Sequence, residues 1–363
     1  MARSDDLHGD LLATLAAQNV EAALISRLFD PDLALPEEGP IRVCIPDLHM
    51  LSESGQRSFP GYGFHSDPRR TDLMVRFLDA LGAFAQRLPD VSQLEIYQLG
   101  DFVDLWREGP GNNPHAILAT NASVWDQLYG TLAGTLQIPV YFLRGNHDFS
   151  LMDGGEFGDW QRLYAFDQTP MALLHGDVLD WFEVFAPDWL QRAIVYLTGA
   201  QSQERNFSQA ELQEGTEAQH KEHESTGRYK WAKQYRLGEH FATLPQGPTA
   251  AVADNVIELG APEQDAGPQD DLTGHELVRP AWQLVQALAR TRNMAVRLMV
   301  IGHTHHARLV RYKRGQEIFV LMDCGAWTEE CWVGPQGGPI QQQASCQIGV
   351  LAGNDLRLYQ LQL

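Results

Sequence analysis

Gly145-Asn146-His147-Asp148 stands one residue beyond the apolar run Ile138-Pro139-Val140-Tyr141-Phe142-Leu143. The run reads as a buried strand, and a turn carrying Asn, His and Asp at such a strand's end is where open α/β sheets place their ligands. Four other stretches repeat the layout. Asp47-Leu48-His49 follows Ile41-Arg42-Val43-Cys44-Ile45, and Gly100-Asp101-Phe102-Val103-Asp104 follows Leu94-Glu95-Ile96-Tyr97-Gln98-Leu99. His175-Gly176-Asp177 follows Met171-Ala172-Leu173-Leu174, and Gly302-His303-Thr304-His305 follows Val296-Arg297-Leu298-Met299-Val300-Ile301. Apolar strands that each end in Asp, Asn or His, often beside a Gly, are the layout of a metal site assembled from strand ends.

With 363 residues, 44% of them hydrophobic and 20% charged, the chain can bury a large core as one big domain or two ordinary ones. Its 47 acidic and 27 basic side chains give a formal net charge of -20. That balance argues against general nucleic-acid binding, which rests on Lys and Arg against phosphates. The 4 cysteines, Cys44, Cys324, Cys331 and Cys346, form no Cys-x-x-Cys pair, which speaks against a zinc-thiolate site and for a reducing compartment. No signal-like segment and no run of transmembrane length is read. The expectation is a cytoplasmic protein; peripheral membrane contact and oligomeric state stay open.

Taken in order, residues 10–29 carry Leu11, Leu12, Leu15, Ala16, Leu24, Ile25 and Leu28 at a spacing that suits one or two amphipathic helices. Pro31, Pro36 and Pro40 then mark a connector. This divides the chain into an N-terminal helical extension, 1–40, and a main domain, 41–363. Asp6-Leu7-His8 copies Asp47-Leu48-His49 letter for letter, but only the second follows a strand that could hold a ligand rigidly. A helix is predicted over 71–88 with Thr71 as N-cap, and another over 114–132. Strand, helix, strand favours parallel pairing. Short strands at 307–312, 317–322, 346–352 and 356–361 follow, with a hairpin loop over 334–345. Between them, residues 180–280 read as a largely helical insertion over or beside the site. It holds an apolar stretch, 181–197, a polar one, 201–227, and an acidic Pro/Gly-rich one, 260–274. The aromatic cluster of 181–197 is either ordinary core or a lid for an apolar substrate group.

Together, Asp47-x-His49, Gly100-Asp101-x-x-Asp104, Gly145-Asn146-His147-Asp148, His175 and Gly302-His303-x-His305 resemble the calcineurin-like metallophosphoesterase superfamily, with all five blocks in the family's order. The resemblance implies two packed mixed β-sheets, a β-sandwich flanked by helices. It also implies a hydrolase that cuts phosphate esters with a dinuclear metal centre and a bridging hydroxide. Asp47, His49 and His305 would hold one ion, and Asn146, His175 and His303 the other. Asp101 would bridge both. His147 would stand by the leaving group, oriented by Asp104. Gly100, Gly145 and Gly302 would let the backbone turn sharply there. Imidazole, carboxylate and amide ligands suit Mn²⁺, Fe or Zn²⁺.

Leu105 and Asp148 stand where the family's protein phosphatases carry Arg and Glu, which argues against that branch. The Phe-Val-Asp-Leu-Trp context and the insertion look more like bacterial members. One of these branches is UDP-2,3-diacylglucosamine hydrolase, a pyrophosphatase, although that branch carries Arg where this chain has His147. The expected substrate is a small or medium phosphate ester, whether monoester, diester or pyrophosphate. Competing readings are a non-catalytic scaffold of the same fold and a nuclease. Asp148 reads as either a turn cap or a functional group. Asp177, His65 and Arg144 are further candidates near the substrate. His306, His220 and His223 are left out of the site.

Overall fold

A computed structural model of the chain describes residues 2–58, 63–108, 114–148, 160–161, 163–166, 169–179, 241–244, 250–251, 277–305, 307–314, 317–328, 332–333, 339–340 and 346–363. In chain order these residues form α1 (Ala2–Ala17), β1 (Ala22–Phe29), β2 (Ile41–Ile45), α2 (Glu53–Ser58), α3 (Arg69–Ala85), β3 (Leu94–Gln98), α4 (Pro114–Thr120) and α5 (Ala122–Trp125). A broader continuation of α5, a π-helix with i→i+5 hydrogen bonding, covers Asp126–Thr135. Then come β4 (Val140–Phe142), β5 (Leu163–Phe166), β6 (Met171–Leu174), β7 (Phe241–Leu244), β8 (Ala250–Ala251) and α6 (Val278–Arg292). The chain closes with β9 (Leu298–Ile301), β10 (Arg308–Arg314), β11 (Glu317–Asp323), β12 (Trp332–Val333), β13 (Pro339–Ile340), β14 (Gln347–Ala352) and β15 (Asp355–Leu361).

One sheet has the order β1-β15-β14-β2-β3-β4 and the other β10-β11-β9-β6-β5-β7-β8; β12 and β13 make a small separate ribbon. Both large sheets are mixed. In the first, β2, β3 and β4 run parallel while β14 is antiparallel to β2. In the second, β6, β9 and β11 are parallel.

The period-two alternation of these strands makes the layers. On β2, Val43 and Ile45 face the core shared with α1 and α3, whereas Cys44 faces the other way. On β9, Leu298 and Val300 point to the same inner layer as Cys44, and Met299 and Ile301 point to the core under α6. That inner layer mixes Tyr97, Leu351 and Leu358 of the first sheet with Leu173, Val320 and Met322 of the second. The sheets therefore pack face to face, the first with α1 and α3 and the second with α6 on its outer side. Strands apolar on both faces are what such a buried position requires.

Parallel strands joined by helical crossovers bring their C-terminal ends to one edge of a sheet. The loops after β2, β3 and β4 thus gather at one end of the first sheet, and those after β6, β9 and β11 at one end of the second.

Three sequence expectations change. The second half of 10–29 is β1, paired antiparallel with β15, so a helix ends at Ala17 and the chain then joins the sheet. Residues Leu24, Ile25, Leu28 and Phe29 satisfy helical spacing, but the strand pairing on offer decides. Helix α3 begins at Arg69, with Pro68 at the N-cap and Thr71 inside the helix; Pro68 has no capping side chain, and the Asp67 carboxylate before it accepts the Arg69 amide at 2.9 Å. Strand β5 was not expected at all. Most of 180–280 lies outside the described residues, as do most of 334–345 and His220, His223 and His306. The described pieces of the insertion are β7 and β8, which extend the second sheet, and the start of α6.

Candidate metal centre

Four of the predicted ligand positions hold their backbone in the left-handed region: His49 at φ 48°, Asp101 at 48°, His303 at 74° and His305 at 61°. A side chain other than glycine's is strained there, and such strain persists only where the surroundings fix it. The bends turn these side chains back across the strand ends. Gly100 also has a positive φ, 97°, as expected. Gly145 and Gly302 need no unusual φ. They are glycine because a Cβ would run into the Asp101 carboxylate and the Asp47 carboxylate respectively, so close approach rather than a sharp turn is the reason.

All seven expected ligands converge, in two sets. In the first, His305 Nε2 is 3.1 Å from Asp47 Oδ2 and 3.1 Å from His49 Nε2. His49 Nε2 is in turn 3.6 Å from Asp101 Oδ2 and 3.8 Å from Asp47 Oδ2. In the second, His175 Nε2 lies 3.2 Å from Asp101 Oδ2, 3.1 Å from Asn146 Oδ1 and 3.2 Å from His303 Nδ1. Asp101 Oδ2 is common to both.

The donor chemistry fits a cation. His175 Nδ1 is 2.9 Å from the Leu99 carbonyl, so that nitrogen carries the proton and Nε2 presents its lone pair. That lone pair faces a carboxylate oxygen, an amide oxygen and another imidazole nitrogen. Acceptors that converge this way repel one another unless positive charge lies among them. Asp47 and Asp101 are at most 2% exposed, and buried carboxylates also demand compensation.

The titration directions carry the same message. Burial would raise Asp101, but His175, His147 and His49 outweigh it and hold the carboxyl below the usual range. Burial would lower His175; Asp101 and Asp47 instead draw it well above an ordinary histidine, so the ring itself takes the positive charge the site demands, and Nε2 presents a lone pair only where a cation replaces that proton. Burial pushes His49 down.

Asp104 sits behind the first set as a hub. Its Oδ1 is 3.0 Å from His147 Nδ1 and its Oδ2 is 3.4 Å from His49 Nδ1, while Arg107 pairs with Oδ2 and donates its amide to Oδ1 at 3.1 Å. Burial opposes ionisation, but Arg107 and His147 keep Asp104 well below the carboxylate range. His49, Asp104 and His147 also form a compact trio of ligand-type side chains. Only the Nδ1 edge of His49 faces it, with Nε2 already turned to the first set. The trio therefore reads as an orienting layer, of the kind that fixes the tautomer of a ligating imidazole.

Asp148 is fully buried and accepts amide protons from Gly145 at 2.7 Å and Phe102 at 2.9 Å. It ties the loop after β4 to the loop after β3, which is more than capping its own turn. Burial, then the charge of Asp101, pushes it up to about 8. Arg144 is buried and Asp177 is buried in the turn after His175. His65 packs edge-on against Phe64 at 5.5 Å. Two contributors went unnoticed in the sequence. Arg107 stands two places beyond Leu105, and Asp323 of Asp323-Cys324-Gly325 follows an apolar strand just as the other blocks do.

The calcineurin-like phosphoesterase family model matches residues 43–307, well over half of the chain. The chain belongs to the calcineurin-like phosphoesterase family. It is thus a metallophosphoesterase, a hydrolase of phosphoric esters, and the blocks that first pointed to the family fall inside the matched region. No curated protein matches this phosphoesterase. Among solved structures it is similar to a dimetal phosphatase from Danio rerio, at 13% identity over 88% of this chain and 98% of the other, with a TM-score of 0.35. Among the described residues of the phosphoesterase, no helix is long and apolar enough to cross a membrane.

Proposed function

We propose that the site holds two divalent cations that share Asp101 and that it hydrolyses a small or medium phosphate ester. Asp47, His49 and His305 would complete one set of ligands, and Asn146, His175 and His303 the other. When bound, such ions neutralise charge on phosphate oxygens and make water available as hydroxide near neutral pH. The observation that carries this reading is Asp101 Oδ2, placed 3.6 Å from one imidazole nitrogen and 3.2 Å from another of the opposite set.

The chain's own residues supply the rest. Asp104 Oδ1 lies 3.0 Å from His147 Nδ1, a support that would aim the other ring nitrogen, Nε2, at a departing oxygen. The side chain of His147 is 12% exposed while that of Asp104 is fully buried, as suits a substrate-facing group with a fixed support. Asp148 and the glycine approaches keep the loops rigid, which ligand geometry requires.

A Mn²⁺-supplemented assay on an aryl phosphate monoester, a diester and a pyrophosphate tests the activity and separates these classes. Turnover of at least one is expected. No turnover with Mn²⁺, Fe²⁺ or Zn²⁺ would favour the scaffold reading, although every expected ligand position is filled. The acidic balance stands against a nuclease. We keep the cytoplasmic compartment as a proposal, supported by the sparse cysteines, of which Cys44, Cys324 and Cys346 are free and buried.

A further inference from the structure

We propose that Asp323 and Thr304 form a latch that sets the His303-Thr304-His305 turn, so that one hydrogen-bonded pair positions a ligand of each cation set at once. The inference rests on the two-cation reading above. Asp323 is the last residue of β11, lies beside Ile301 at the end of the parallel neighbour β9, and is fully buried. Its Oδ2 accepts the hydroxyl proton of Thr304, and its Oδ1 accepts the Gly325 amide at 3.0 Å. Thr304 lies between two residues in the left-handed region, His303 at φ 74° and His305 at 61°. A turn bent that way twice in three residues needs an external hold, and the threonine is placed to take it. The Thr304 amide adds a bond to the Gly302 carbonyl at 2.9 Å, which tightens the same turn.

The segment that follows Asp323 grips the opposite ligand loop as well. The Trp327 amide donates to the Asp47 carbonyl at 2.8 Å, and Asp47 pairs with Ala326 as an isolated bridge. Trp327 is fully buried and packs on Phe64 and Phe77. The stretch 323–327 therefore braces both the Asp47 loop and the His303-Thr304-His305 turn against the core. Asp323 and Thr304 are positioning residues: neither is placed among the ligands.

The test uses the full chain, stripped with a chelator and titrated with Mn²⁺ alone, with free Mn²⁺ read by electron paramagnetic resonance and the metal-free melting point measured alongside. Wild type is expected to take up two ions. Thr304→Val keeps the shape but removes the hydroxyl, and should weaken both sites together by about 10–100-fold, the usual cost of losing an outer-shell partner, with the metal-free melting point little changed. Thr304→Ser keeps the hydroxyl and should bind like wild type. Asp323→Asn should do so too, since its oxygen can serve Gly325 and its NH₂ can donate to the threonine oxygen. A Thr304→Val chain that binds two ions as tightly as wild type, or weakens at one site only, would overturn the latch while leaving the two-cation reading intact. A wild-type chain that takes up no Mn²⁺ would overturn that reading and the latch with it.

Discussion

At the scale of residues, Asp101 and His147 stand in different places. Asp101 gives its Oδ2 to both ligand sets, and its Oδ1 accepts the His147 amide at 2.9 Å. His147 stands outside both sets, with its ring on Asp104. The two substitutions should therefore separate. His147→Ala should keep the cations but lower kcat by about 10²–10⁴-fold, the usual range for a lost acid–base group. Asp101→Asn should cost Mn²⁺ affinity beyond the roughly 10–100-fold of an outer-shell change. Metal content and steady-state rates on the same preparations check both, and a His147→Ala chain with undiminished rates would remove that role. The candidate ligand types are legible in the sequence because few side chains can hold a hard or borderline cation, and each stands at a strand end. The work of Asp148 and Asp323 was not legible. Their partners are backbone amides and a hydroxyl brought near by tertiary packing, which residue type alone does not encode.

At the scale of elements, the loops function only if they approach one another closely. A Cβ on Gly145 would lie 2.6 Å from the Asp101 amide as well as in the Asp101 carboxylate. Gly145→Ala should therefore displace the Asp101 carboxylate, at a stability cost of about 1–3 kcal/mol for overpacking, together with weaker cation uptake. Thermal melting with and without Mn²⁺ reads the two effects separately, and unchanged values in both would refute the close-approach account. Buried strands such as β2, β3 and β9 were plain in the sequence, since apolar runs bounded by turns have one good reading. Strand β1 was not. It forms the sheet's edge, with Leu24 54% and Ile25 40% exposed, so its apolar residues do not show a clean buried face. Strand β5, four residues long, left too little pattern to find.

At the scale of the molecule, the N-terminal helix is fastened to the last strand through a buried titratable group. His8 of α1 is fully buried against Tyr359 of β15, with both ring nitrogens lacking a hydrogen-bond partner among the described residues. Burial first, then the charge of Arg357, lowers its pKa from 6.5 to about 4. The folded state thus prefers neutral His8. Its contribution is whole above about pH 6.5 and is lost as pH falls toward 4, about 3 kcal/mol in all. Urea unfolding at pH 7 and pH 4.5 should show a smaller drop for His8→Leu than for wild type; equal drops would contradict the assignment. Asp-Leu-His occurs at both residues 6–8 and residues 47–49, but only at the second do the two sheets bring distant strand ends together around it. That convergence, from Asp47 to His305, is the central claim, and anomalous diffraction at the manganese edge from Mn²⁺-loaded crystals tests it most directly. Two peaks should flank Asp101 Oδ2, one among Asp47, His49 and His305, the other among Asn146, His175 and His303. No peak there, or one lone peak at the Asp104 carboxylate between His49 and His147, would contradict it.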